Sequence, residues 1–526
     1  MKTTPQDPVT YNDFLEEGSL AEESGDRWLG SDVSKALRFY QKSYDAYTKS
    51  LELNWSTENS DAFYNAARLL LQVYLLEKSS NGLVIRDLTD MGDIHGANSV
   101  VKSISEILDV HLKALEICGR NQDLLYNTAT VYVEMLDDMI DSDYNVPLDE
   151  LCSKYRSGEE ILVELIPQQV NALESFVCDL ASSNTESNVS FASGSSPPAM
   201  DQEQEEFESI EVTQPVDIFE TVMLSYRLVQ TTYENLSEGG EAVSVVAQTV
   251  APFIDSLDQV ASELILKYSE QSEFKNEMLE NITASQVNEL KIAKQSIISL
   301  QDNDGSRILE SWERFFVSEV PDEIPEKYLT SVDNVQTVME RNDQTLYTIN
   351  NSNRIDKEWY WRMLSQQNSL LKKAQGLTQD QLNAKRKLPS GVEQGIGSTI
   401  IQLCDIMIAR ADLSLQMASV KYYEPSVRNE SALLQNCKTL LKSSMNIANS
   451  SGGLRERAIE KIDREKKLSE SVFRLCLVDG KTSVSDLDEI MTRPRWMREY
   501  TQLKKVDVYE ELLQRIPYQS VLSGYI

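Results

Sequence analysis

Along most of the chain, apolar residues recur every three to four positions, a spacing that gathers them on one side of an α-helix. The pattern is plain in SDVSKALRFYQKSYDAY, DAFYNAARLLLQVY and DLLYNTATVYVEML, and again in DIFETVMLSYRLVQTTYENL and STIIQLCDIMIARADLSLQMA. In GLRERAIEKIDREKKLSESVFRL, Leu454, Ile459, Ile462, Leu468 and Val472 form a mainly one-sided apolar stripe. No stretch sustains the period-two alternation of a half-buried strand. The expected fold is all-α.

Two breaks divide the pattern. Residues 181–215 pass from ASSNTESNVSFASGSSPPAM, poor in large apolar side chains, into the acidic run DQEQEEFESIE. Such a segment buries too little surface to offset its ordering entropy, so a flexible acidic, Ser-rich linker or loop is predicted there. A shorter break, VPDEIPEKYLTSVD, covers 320–333 and carries two prolines. The predicted organisation is helices over 1–180, the linker, a helical region over 216–320 and a C-terminal helical region over 334–526.

Composition supports helices: of 526 residues only 20 are Gly and 14 are Pro. Residues 1–350 hold 63 acids and 23 bases, a net of −40, whereas 351–526 hold 21 acids and 27 bases, a net of +6. A field of that sign over the first two-thirds attracts basic partners and argues against nucleic acid and anionic membrane as ligands. No run approaches the roughly 18 apolar residues that cross a bilayer, and the first residues lack an apolar signal core. A cytoplasmic or nuclear location is the expectation. The six cysteines are far apart and lack metal-ligand or CxxC spacing, which predicts reduced, mostly buried thiols.

Within the first 140 residues small side chains and aromatic knobs share helix faces. Ala36, Tyr40 and Ser43 do so in one segment, and Ile107, His111 and Ala114 follow the same spacing. Phe63-Tyr64-Asn65-Ala66-Ala67 and Leu125-Tyr126-Asn127-Thr128-Ala129 form a second matching pair. These residues resemble the tetratricopeptide repeat, the first two sets as second helices and the others as first helices. The resemblance covers about residues 20–140 and implies helix pairs stacked as a solenoid, followed by a helical bundle or a continuation of the solenoid. It departs from the family in lacking the closing proline. It also departs in the 42-residue interval from Asn65 to Ile107, where SSNGLVIRDLTDMGDIHGANS must be an inserted loop or short helix.

In such arrays first helices line a concave groove. The resemblance implies that Tyr64, Arg68 and Gln72 face a ligand, with Tyr126, Thr130 and Glu134 one repeat further on. Asn65 and Asn127 would clamp a ligand backbone. Asp137, Asp138, Asp141 and Asp143 would suit Lys or Arg side chains. One subgroup of these repeats binds the acidic tail of heat-shock chaperones through lysines and asparagines; here Ala21 and Gly25 stand at the matching places, which argues against that partner.

Catalysis finds no support in the sequence. The two histidines, His95 and His111, belong to no HExxH, and neither GxxxxGK[ST] nor GxSxG occurs. No enzyme activity, cofactor or metal is expected. Lys372-Lys373, followed by Lys385-Arg386-Lys387, looks like a bipartite nuclear-import signal. The leading expectation is a non-catalytic adaptor or escort chaperone that holds a basic protein client, of the ribosomal-protein or histone class, on an acidic helical surface. The alternative is a constitutive scaffold subunit of a larger complex.

Overall fold

Helix starts are written into the sequence as caps. Thr10 Oγ1 accepts a hydrogen bond from the Asp13 amide (3.2 Å) and Asp13 Oδ2 accepts one from the Thr10 amide (2.8 Å), satisfying two donors that a helix start leaves open. That cap opens α1 (Tyr11–Leu29). Asp32, accepting from the Lys35 amide at 2.9 Å, opens α2 (Val33–Leu53). The computed structural model describes residues 8–79, 85–89, 91–140, 146–186, 212–273, 276–351, 356–389, 391–392 and 395–517.

The chain continues through α3 (Ser60–Ser79), α4 (Ile104–Cys118), α5 (Gln122–Ile140), α6 (Leu148–Glu186), α7 (Pro215–Glu234), α8 (Glu241–Tyr268), α9 (Ala284–Leu300) and α10 (Gly305–Ser318). It then forms α11 (Glu326–Arg341), α12 (Leu346–Asn351), α13 (Lys357–Lys385), α14 (Ile396–Ala418), α15 (Glu424–Ala448), α16 (Ala458–Val478), α17 (Val484–Ile490), α18 (Arg493–Leu503) and α19 (Glu510–Leu513). Among the described residues there is no strand, only one isolated bridge between Ser269 and Ile282. The fold is all-α.

Two compact units are formed. The first gathers the described residues of Met1–Ser103, Leu236–Glu241 and Gln295–Ile526; the second gathers Ile104–Asn235 and Ala242–Lys294. These units do not coincide with the segments expected from sequence, because residues 1–103 cluster with the C-terminal helices and 104–180 do not. Of the expected linker, 181–186 continue α6, Pro215 opens α7, and 187–211 lie outside the described residues. The second break shrinks to the residues between Ser318 and Glu326. There the fully buried Lys327 ammonium donates to the Val320 carbonyl (3.1 Å) and faces Asp322 (3.2 Å), tying the loop to the first turn of α11.

In the first unit, α1 and α2 make an antiparallel hairpin whose register follows from two close approaches. Gly18 lies against the ring of Tyr47, and Gly25 against the ring of Tyr40. The inserted segment contains the 3₁₀ turns Ile85–Leu88 and Asp93–His95 and docks on α2. The buried Gln41 amide donates to the Asn98 carbonyl and accepts from the Val100 amide, both at 2.9 Å.

The C-terminal helices centre on α14, where Ile400, Leu403, Cys404 and Met407 pack with Leu382 and Ala448. The face of α16 departs from the sequence expectation. Leu454 precedes the helix and is exposed, and Ile459, Ile462, Leu468 and Val472 are only half-buried, whereas Glu460, Asp463 and Lys467 are buried. Part of the cause is a set of ion pairs that joins α16 to α14 through Lys467 and Arg474. Lys467 reaches Asp405 (2.7 Å) and Glu470 (3.2 Å), and Arg474 reaches Asp412 (3.4 Å) and Glu470 (3.8 Å). Tyr509 completes it, donating to Asp412 Oδ1 at 2.6 Å. Pairing of this kind offsets the cost of burying the Lys467 and Arg474 charges.

Candidate functional site: an acidic cleft in the second unit

The ten partner-binding residues expected from sequence fall in both units. Tyr64, Asn65, Arg68 and Gln72 lie half-buried on α3 in the first unit. Arg68 and Gln72 are engaged within the chain, which corrects the expectation that they face a ligand unencumbered. Arg68 pairs with the buried Glu22 of α1, and Gln72 Nε2 donates to Asp26 (3.0 Å) and to the Tyr40 hydroxyl (3.1 Å). The reason is that α1 presents Glu22 and Asp26, one turn apart, to the polar face of α3.

Tyr126, Asn127, Thr130, Glu134, Asp137 and Asp138 lie on α5 in the second unit. Thr130 Oγ1 donates back to the Tyr126 carbonyl at 3.0 Å. Glu134 is buried, Asp137 is half-buried and Asp138 is exposed. Asp141 and Asp143 lie outside the described residues. Tyr126 and Asp137 line a cleft of about 590 Å³; the other four are not among its walls.

The far wall is α7. Its Pro215 sits at the first turn, where a missing N–H costs nothing. Ile218, Val222, Tyr226, Val229 and Tyr233 turn one face into the core, which leaves Glu220, Met223, Arg227, Gln230 and Glu234 on the cleft side at helical spacing. The first turns of α9 add Gln286 and Glu289. Four carboxylates, those of Asp137, Glu220, Glu234 and Glu289, thus line the cleft together with one guanidinium, that of Arg227. Arg227 lies 3.6 Å from Asp137 and 3.9 Å from Glu134.

Burial, and then the charges of Asp217 and Glu280, push the Glu220 carboxyl above the usual carboxylate range. Burial, followed by the charges of Glu220 and Asp217, likewise raises the Tyr126 phenol. Burial dominates each shift and neighbouring carboxylates add to it, so a cation entering beside Glu220 would offset the second cause. Apolar Phe219, Met223 and Leu224 on the same wall suit the methylene stem of a Lys or Arg side chain.

Sequence reasoning missed Glu220, Met223, Arg227, Gln286 and Glu289. The α7 stripe was readable in DIFETVMLSYRLVQTTYENL as polar residues at helical spacing interrupted by Met223 and Leu224. Nothing local marks the α9 pair as its neighbours.

The import-signal lysines are built into structure. Lys372 and Lys373 lie in the middle of α13, and Lys373 Nζ sits 5.6 Å over the Tyr328 ring. Lys385 donates to the Gly395 carbonyl (3.1 Å) and to Thr399 Oγ1 (2.7 Å), and Arg386 donates to Ser450 Oγ (2.7 Å). Lys387 is exposed beyond the helix. The span from 372 to 385 is helical, so an extended import signal would require α13 to unwind.

His111 is fully buried with Nδ1 2.9 Å from the Ile107 carbonyl. The six cysteines are free thiols, four of them buried. Among the described residues, no group of three or more His, Cys, Asp or Glu could hold a metal ion, and no helix is long and apolar enough to cross a membrane.

Residues 321–504 match a family model described as the YNL193W C-terminal domain. The chain is 23% identical over 528 aligned residues to a Saccharomyces cerevisiae protein called "Uncharacterized protein YNL193W", covering 91% of this chain and 92% of that protein. It is 28% identical over 142 residues to the Schizosaccharomyces pombe "UPF0656 protein C926.02", covering 27% of this chain and 28% of that one. The first similarity runs through both units, and the family match lies within the first.

Proposed function

We propose that this chain is a non-catalytic protein-binding adaptor or escort, built at its N-terminus on tetratricopeptide-like helix hairpins, that takes basic side chains of a protein client into the cleft between α5, α7 and α9. The observation that carries the reading is the lining of that cleft: four carboxylates and one arginine, with Phe219, Met223 and Leu224 beside them on α7. A client of the ribosomal-protein or histone class has the matching charge. The acidity of residues 1–350 would also shield such a client from stray nucleic acid.

The test is titration of the full chain with a short fluorescent lysine-rich peptide and with a glutamate-rich peptide of equal length. The lysine peptide should bind and weaken with added salt. Glu220→Lys combined with Glu289→Lys should cost at least about tenfold in affinity, or 1.4 kcal/mol. Arg227→Gln should strengthen binding by freeing Asp137. Equal binding of the two peptides, or a charge-reversed variant as tight as wild type, would end the proposal.

A second reading, a constitutive scaffold subunit, is favoured by another surface. In the first unit a groove of about 450 Å³ carries Tyr347, Tyr422 and Val427 at 64%, 91% and 66% exposure. Apolar groups gathered this way mark stable interfaces. Association that survives high salt and is lost in Tyr347→Ser with Val427→Ser would support it.

A further inference from the structure

A second, smaller pocket of about 200 Å³ lies within the first unit between α16, α18 and the 3₁₀ turn Ile85–Leu88. Lys466, Arg495, Arg498 and Gln502 converge on it, with Glu465 exposed at its edge. Arg495 and Arg498 are one turn apart on α18, and among the described residues neither guanidinium forms an ion pair. Lys466 is half-buried and only loosely held, 3.7 Å from Glu470. Three cations and two carboxylates, those of Glu465 and Glu499, thus share the lining of one small hollow, in the part of the chain where bases outnumber acids.

Glu499 supplies the second observation. It lines the same pocket, is 4% exposed, and has no hydrogen-bond or ion-pair partner among the described residues. It stands four residues after Arg495, a spacing that allows an ion pair along a helix, yet none is formed. A buried carboxyl without a partner is costly unless it carries a proton or meets a ligand.

We propose that this pocket is a proton-linked binding site for a compact oxyanion of the phosphate class, held by Arg495, Arg498 and Lys466 and by the protonated carboxyl of Glu499 as a hydrogen-bond donor. Arginine forks match the oxygens of a tetrahedral anion. The hollow, at about 200 Å³, has room for such a group together with bound water. Burial, and then the charge of Glu470, lift Glu499 to about 7, against the opposing pull of Lys466 and Arg474 on α16 and Arg498 on its own helix. An arriving anion raises it further, so binding takes up a proton. Glu465 opposes any anion and sets a modest affinity.

The probe is sulfate, which does not titrate in this range, followed by inorganic phosphate and a short phosphoserine peptide, each measured by calorimetry on the full chain. If only the protonated form binds, sulfate affinity should fall about tenfold between about pH 6 and about pH 8. Glu499→Gln keeps a donor without a charge; it should bind sulfate at both pH values and flatten the profile. Arg495→Ala with Arg498→Ala should lose about tenfold or more. Both arginines are exposed, so this variant should keep the wild-type circular dichroism and thermal midpoint. Binding of phosphate and the peptide alike would identify a carried phosphoryl group as an acceptable source, and binding of phosphate alone a free anion. No sulfate binding, affinity independent of pH in wild type, or loss of binding in Glu499→Gln would overturn the proposal.

Discussion

Replacing Gly25 by Ala should loosen the N-terminal hairpin, although the same change in a helix interior ordinarily stabilises. The ordinary gain is about 1 kcal/mol of helix propensity, and burying the new methyl would add about 0.8 kcal/mol. Here the added Cβ would lie 2.5 Å from Tyr40 Cε1 and 2.6 Å from Cδ1, roughly 1 Å inside the optimal carbon–carbon separation. The ring has no easy escape. Its hydroxyl donates to Asp26 at 2.7 Å and accepts from Gln72 at 3.1 Å, and a hydrogen bond to a charged group is worth about 1.5–3 kcal/mol. Overpacking of about 1–3 kcal/mol plus part of that bond exceeds the gain, leaving a net loss of about 1–3 kcal/mol. Gly376 is the control: it lies inside α13 with nothing within 4 Å of an added Cβ, so Gly376→Ala should stabilise by up to about 1 kcal/mol. Hydrogen-exchange mass spectrometry on the full chain reads each helix separately. Amides of α1 and α2 should exchange about fivefold to a hundredfold faster in Gly25→Ala, and those of α13 more slowly in Gly376→Ala. Unchanged or slower exchange in α1 and α2 would refute the close approach on which the register rests.

The Asp412–Arg474 pair gives a larger effect. Asp412→Ala would leave Arg474 with Glu470 at 3.8 Å and take the acceptor from Tyr509; a loss of about 3–5 kcal/mol is expected by urea denaturation, and Asp412→Asn should cost less. His111 gives a pH signature in the second unit. Burial lowers it to about 4 against the opposing Ile107 carbonyl, so the neutral ring is favoured on folding. That contribution is complete above the unfolded value near 6.5 and is lost as pH falls towards 4, amounting to roughly 3 kcal/mol. Urea midpoints of His111→Gln should decline less steeply than wild type across that window, and identical slopes would count against a buried neutral imidazole.

The helices themselves were legible because their signals are local. Ala36-Tyr40-Ser43 falls inside α2, Phe63 to Leu70 inside α3, and Leu125 to Tyr132 inside α5, each burying the face that its spacing names. Prolines were less informative as break signals, since Pro167 and Pro252 lie inside α6 and α8. The buried face of α16 was misjudged from apolar periodicity, because Asp405 and Asp412 lie 62 residues before their partners Lys467 and Arg474. A second periodicity was present in the charges: Asp463, Lys467, Glu470 and Arg474 recur at steps of three and four and mark one face as plainly as leucines would. The acidic cleft was half legible for a similar reason. Tyr126 and Asp137 announce themselves on α5, whereas the approach of α7 and α9 is a long-range event that no local pattern encodes.

The Ala458 amide donates to the Gly30 carbonyl at 3.0 Å, joining the turn between α1 and α2 to the start of α16. During synthesis the ribosome must therefore add more than four hundred residues after Gly30 before α16 can reach that turn, while the second unit, Ile104–Asn235 with Ala242–Lys294, is already made. The nascent hairpin, already backed by α3 and the inserted segment, waits with the turn at Gly30 uncovered, and a fragment cut to residues 321–504 would emerge lacking the segment that completes its own compact unit.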